Sequence, residues 1–139
     1  MAVNYIGNQI NQSPTIVEKA GADIADGRNK LYKYDDNGDL VLAGAGEMAV
    51  GIGLIETGYN DVTGVEAGKV VKGDNVTVQI KDIGLVAAGG EIKKGAEVTA
   101  DAEGLAVTAQ DGNYVIGIAQ DAAAAKGDII YIQIAKYKK

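Results

Sequence analysis

The stretch KGDNVTVQI at residues 72–80 returns as KGDIIYIQI at residues 126–134. Lys, Gly, Asp, Gln and Ile are identical between the two, and three further positions exchange one β-former for another. In the first stretch Val76, Val78 and Ile80 alternate with Thr77 and Gln79; in the second Ile130, Ile132 and Ile134 alternate with Tyr131 and Gln133. Alternation of β-branched residues with period two marks a strand with one buried face. A slip of one residue would turn the apolar set outward, so the shared phase assigns both stretches the same inward face. The Lys-Gly-Asp that opens each is a tight turn feeding the strand, with Gly and Asp making the turn and Lys in solvent. An integrin-ligand reading of that tripeptide is the weaker one, because it stands at equivalent places in both stretches.

The match extends outward. VEKAGADIADG (17–27) lies over LVAAGGEIKKG (85–95), sharing Ala20/Ala88, Gly21/Gly89, Ile24/Ile92 and Gly27/Gly95. LYKYDDNGDLVLAGAGEMAVGIGL (31–54) then lies without a gap over EVTADAEGLAVTAQDGNYVIGIAQ (97–120), with Asp35/Asp101, Gly38/Gly104 and Gly51/Gly117 among the coincidences. This order predicts an internal duplication, copy 1 over 15–80 and copy 2 over 83–134, within a β-domain of 15–139. DDNGD (35–39) and DAEG (101–104) are expected as hairpin turns in which glycine supplies a positive φ. Gly51 and Gly117 fall in central strands and are expected at a bulge or bend. The one helical expectation is DAAAAKG (121–127), with Asp121 as N-cap and Gly127 past the end. Residues 1–14, uncharged apart from the terminus, are expected as an extended N-terminal arm. The segment 57–68 is an insertion in copy 1, expected as a surface loop presenting Tyr59 and Asn60.

Composition narrows the function. The chain has 20 Gly and one Pro, and no Cys, His, Trp or Phe. Glycines spread between short alternating runs are turn punctuation for an all-β protein with little helix. Without His or Cys, nucleophiles of the Ser-His or Cys-His kind and zinc-type metal sites are excluded, and no cofactor or metal is expected. Asp35, Asn37 and Asp39 have the spacing of the first calcium-loop ligands, but the glycine comes two positions early and Gly46 stands where the bidentate Glu belongs. A hairpin turn accounts for them. With 13 basic against 19 acidic residues and Lys clustered only in the tail, Lys136, Lys138 and Lys139, nucleic acid is not an expected partner. No run of 18 apolar residues and no signal-like N-terminus occur, so neither a membrane partner nor secretion is expected.

ADIADGRNKLYKYDDNGDLVLAGAGEMAVGIGL, followed by IKKGAEVTADAEGLAVTAQDGNYVIGIAQDAAAAKGDIIYIQI, resembles the capsid decoration (cement) proteins of tailed bacteriophages. Copy 2 follows the family order throughout: Ile92 and Gly95, Asp101 and Gly104, Val115 to Ala119, Ala122 to Ala125, then Gly127 and Asp128. The resemblance implies a small β-barrel or β-tulip and a non-enzymatic virion protein, made in the host cytoplasm. It implies binding to the major capsid protein on the outer surface of an expanded head, commonly as a homotrimer that stabilises subunit contacts. It also implies an arm that orders on the shell, for which Val3, Tyr5, Ile6 and Ile10 are the capsid-binding candidates. The alternatives are another virion part (head fibre base, tail or baseplate component) or a host-surface carbohydrate-binding module using Tyr59 and Tyr114.

Overall fold

The computed structural model describes residues 13–139. Val3, Tyr5, Ile6 and Ile10 of the expected arm lie outside the described residues. Ten strands follow one another: β1 (Thr15–Lys19), β2 (Leu31–Tyr34), β3 (Leu40–Leu42), β4 (Gly51–Gly53), β5 (Asn75–Gln79), β6 (Ile83–Ala87), β7 (Glu97–Ala100), β8 (Ala106–Thr108), β9 (Tyr114–Ala119) and β10 (Ile129–Lys138). They form two antiparallel five-stranded sheets of order β1-β5-β4-β2-β3 and β6-β10-β9-β7-β8. The second order is the first with five added to each strand number. Registers agree as well: Thr15 opposes Gln79 where Ile83 opposes Gln133, and Val17 opposes Thr77 where Leu85 opposes Tyr131. The fold is all-β, as the alternation and glycine spacing predict.

Each sheet rolls until its two edge strands touch. Ala20, just past β1, makes a single parallel bridge to Leu40 of β3, and Ala88 makes the same bridge to Ala106 of β8. The next amides, of Gly21 and Gly89, donate to the carbonyls of Leu40 and Ala106 at 2.8 and 2.7 Å. The closure is one bridge and not a full ladder, so each unit is a rolled sheet. Hairpins β2–β3 and β7–β8 are locked by one carboxylate each. Asp35 Oδ1 accepts from the amides of Asn37 and Asp39, and Asp101 Oδ1 from those of Glu103 and Leu105. Gly38 and Gly104 take φ of 82° and 75° there, a conformation open to glycine at no steric cost.

Two cores result. Ala20, Ile24, Tyr32, Leu40, Val70, Val76 and Val78 fill the first roll. Ala88, Ile92, Val98, Ala106, Ile130 and Ile132, at or near the corresponding positions, fill the second, but its core continues through Leu31, Ala43, Ala49 and Ile52 of the first unit. The shared apolar layer makes the units one packed body. Asn29 stitches the seam. It is buried with φ 55°, its carbonyl accepts from Ala87 N at 2.8 Å, and its Nδ2 donates to Leu85 O at 3.3 Å.

One expectation is corrected, and another holds at one of its two positions. Residues 121–127 do not form a helix. Ala123 is buried and exchanges both backbone hydrogen bonds with Ile92, while the amides of Ala124 and Ala125 turn onto Asp128 Oδ2. A run of four alanines is too short to recover the cost of nucleating a helix against such partners. The bulge expectation holds at Gly117, which pairs with Ile134 where the β9–β10 register shifts before Val115 pairs with Tyr137. At Gly51, which pairs with Tyr32 of β2, the register runs without a shift. The two glycines serve close approach, since an added Cβ would stand 2.3 Å from Gln79 O and 2.4 Å from Gln133 O.

Candidate functional site

The root of the arm is the first candidate surface. β1 is an edge strand, and the chain enters it through Pro14, whose carbonyl accepts from Ile80 N at 2.8 Å. The described chain therefore begins beside the end of β5, next to Gln79. Gln79 Nε2 in turn holds the linker between the units, donating to Lys81 O at 2.9 Å and Ile83 O at 2.7 Å.

The connection from β4 to β5 is the second. Tyr59 and Gly68 face each other in a short ladder, Tyr59 N donating to Lys69 O and Gly68 N to Tyr59 O. Above it Asp61 closes the tip: its carboxylate accepts from Thr63 N, the Thr63 hydroxyl and Glu66 N. Those amide and hydroxyl donors, that of Glu66 foremost, hold the Asp61 carboxyl below the usual carboxylate range. The tip so fixed displays Val62 at 97% and Val65 at 86% exposure. Tyr59 is exposed, with Lys69 Nζ 5.8 Å from its ring centroid. Asn60, also exposed, lines the same shallow depression as Tyr59, beside Arg28 and Ile55. Sequence reasoning singled out Tyr59 and Asn60 and passed over the two valines. A β-branched residue in a glycine-rich run signals a strand, and only the Asp61 turn shows it pointing to solvent.

The C-terminal lysines are engaged. Lys136 Nζ donates to Val50 O in the first unit, and burial lowers its pKa. Lys139 Nζ meets Glu97 at 3.1 Å and the Tyr137 hydroxyl donates to the same carboxylate at 2.6 Å. Together they hold Glu97 below its ordinary range, the Tyr137 hydrogen bond more strongly. Lys138 Nζ lies 5.5 Å from the Tyr114 ring centroid. Tyr59 and Tyr114, the candidate sugar platforms, thus stand on different units and each carries an ammonium over its ring.

The carboxylates at the hairpins are committed to backbone amides, and among the described residues no group of three or more His, Cys, Asp or Glu is placed to hold a metal ion. What remains is surface. Against that background the phage cement protein profile matches residues 36–134, from the β2–β3 turn into β10. The chain belongs to the phage cement protein family. It is a structural protein of a phage virion. The fold is similar to that of the head fiber gp8.5 N base of bacteriophage phi29, with a TM-score of 0.61 and 22% identity, covering 90% of this chain and 98% of that one. Comparison with curated proteins gives no match. β1, β2 and the lysines of the tail lie outside the family match.

Proposed function

We propose that this protein binds the outer surface of an expanded phage head and clamps neighbouring major capsid protein subunits, without catalysing a reaction. It is made in the host cytoplasm, adds to the shell as a homo-oligomer (a trimer), and engages it through the arm, with Val3, Tyr5, Ile6 and Ile10 as the apolar contacts. The observation that carries this reading is the family match over 36–134. The edge position of β1 supports it, because an uncharged segment preceding an edge strand can add its backbone to a neighbouring sheet. Many identical sites on one shell make modest individual affinity sufficient. The test is co-sedimentation with expanded, undecorated heads and with unexpanded procapsids. Saturable binding to expanded heads alone is the expected result; equal binding to both, or to neither, overturns it.

A second reading is favoured by one observation, the match of this chain to nearly the whole of a head fiber base. On that reading the protein anchors a fibre on the head. Electron microscopy of virions distinguishes the two: a fibre base is seen joined to a projecting fibre, a cement protein as a compact knob.

A further inference from the structure

The two units provide an internal comparison. On the outer face of the first strand pair, Thr15, Val17, Asn75 and Thr77 correspond by register to Ile83, Leu85, Ile129 and Tyr131 of the second unit. The first set is mostly polar. The second is wholly apolar and exposed. Since copy 1 builds the same strand pair with threonine and asparagine, the fold does not require the apolar set. With Ile55 from the first unit, Ile83, Leu85 and Tyr131 border an open groove of about 300 Å³. Contiguous exposed apolar surface of this kind marks an interaction site.

Strand addition is not what this groove offers. Three groups along the outer edge of β6 are already taken: Ala87 N by Asn29 O, Leu85 O by Asn29 Nδ2 and Ile83 O by Gln79 Nε2. An occupant must therefore enter with side chains. The chain carries such an apolar projection, the Val62–Val65 tip, rigidly held by Asp61 and present in copy 1 only.

We propose that the Val62–Val65 tip of one copy inserts into the groove bordered by Ile83, Leu85 and Tyr131 of a second copy. Charge sets the orientation. Asp61 and Glu66 flank the valines, and at the Ile129 end, where Arg28 pairs with Asp26 and Lys126 with Glu103, Lys30 leaves one positive charge in excess. At the other end Glu56 would repel the acidic tip. Repeated head to tail, with each copy giving a tip to one neighbour and taking one from the other, this contact builds a ring where its rotation closes, in keeping with the trimer proposed above. This names the contact between copies, and it is tested on free protein, where the outcome does not depend on what the shell binds.

The test is sedimentation velocity over micromolar to millimolar concentrations for the wild type and two variants. The tip variant is Val62→Asp with Val65→Asp. The groove variant is Ile83→Thr, Ile129→Asn and Tyr131→Thr, which installs the residues that copy 1 carries at the same sheet positions. The wild type is expected to associate, each variant alone to stay monomeric with unchanged circular dichroism, and an equimolar mixture of the two to give one-to-one dimers. The mixture retains one intact tip and one intact groove, which suffices for a pair and not for a ring. A wild type that is monomeric throughout overturns the proposal. So does either variant associating as the wild type does, or a mixture that stays monomeric. If the groove variant proves unfolded, Tyr131→Thr alone replaces it with the same expectations.

Discussion

Asp101 stands so close to Gly89 that a Cβ on the glycine would lie 2.5 Å from Asp101 Oδ2. The carboxylate cannot swing away, because its other oxygen accepts from the amides of Glu103 and Leu105 at 2.8 and 3.0 Å. The same pairing recurs between Gly21 and Asp35, where the distance is 2.3 Å. In each unit the glycine permits the edge strands to meet over the hairpin turn. Gly89→Ala is accordingly expected to cost about 1–3 kcal/mol, the range for overpacking a fixed site. Gly90, with nothing within 4 Å of its added Cβ, is the control, and Gly90→Ala should leave the urea midpoint almost unchanged.

Asn29 supports a second expectation. Replacing it by alanine removes the Nδ2 bond to Leu85 O and leaves a residue with a Cβ at φ 55°. Losing that part-buried hydrogen bond costs about 0.5–1.5 kcal/mol, and the left-handed backbone adds strain. Asn29→Ala should therefore lower the melting temperature more than Asn29→Gly, which keeps the backbone geometry and loses only the amide. Equal effects of the two would show that backbone conformation plays no part at the seam.

Tyr32 makes stability sensitive to alkali. It is fully buried, its hydroxyl donates to Gly27 O at 2.8 Å, and burial raises its pKa, with the Asp26 charge adding to the effect. A group whose folded pKa is raised contributes stability fully present below its unfolded pKa, about 10 for tyrosine, and lost as pH rises through the folded value. Melting temperature should fall above that pH more steeply in the wild type than in Tyr32→Phe. At neutral pH the phenylalanine variant should be less stable by about 1 kcal/mol, through the lost hydrogen bond.

Removal of residues 1–12 should leave the domain folded, with Pro14 O still receiving Ile80 N. Removal of 1–14 takes away the carbonyl that receives Ile80 N and should cost measurably more. Both truncations should weaken binding to expanded heads. Full binding by the shorter truncation would remove Val3, Tyr5, Ile6 and Ile10 from the contact.

The all-β class was legible because two signals coincide in the sequence. The alternation of Val76 and Val78, repeated by Ile130 and Ile132, sets the inward face, and Gly38 and Gly104 with their aspartates set the turns. What was not legible depends on contacts distant in the chain. Ala122–Ala125 have strong helix propensity, and only Ile92 and Asp128, brought alongside by the roll, draw their backbone into a bridge. Isoleucine at 83 and 129 fits a β-strand whether its face is covered or open. The seam at Asn29 has no local signature, because its partners Leu85 and Ala87 lie in the other unit. The Asp61 tip was hidden for a different reason: Val62 and Val65 are apolar, and exposure of apolar residues is not written in composition.

The measurement that tests the central claim most directly is DNA retention by filled, expanded heads heated with and without saturating protein. Cement function predicts that decorated heads hold their DNA to a higher temperature, and that heads mixed with the residue 1–12 truncation open with the undecorated ones. Identical release curves for decorated and bare heads, at occupancies shown to be saturating, would contradict it.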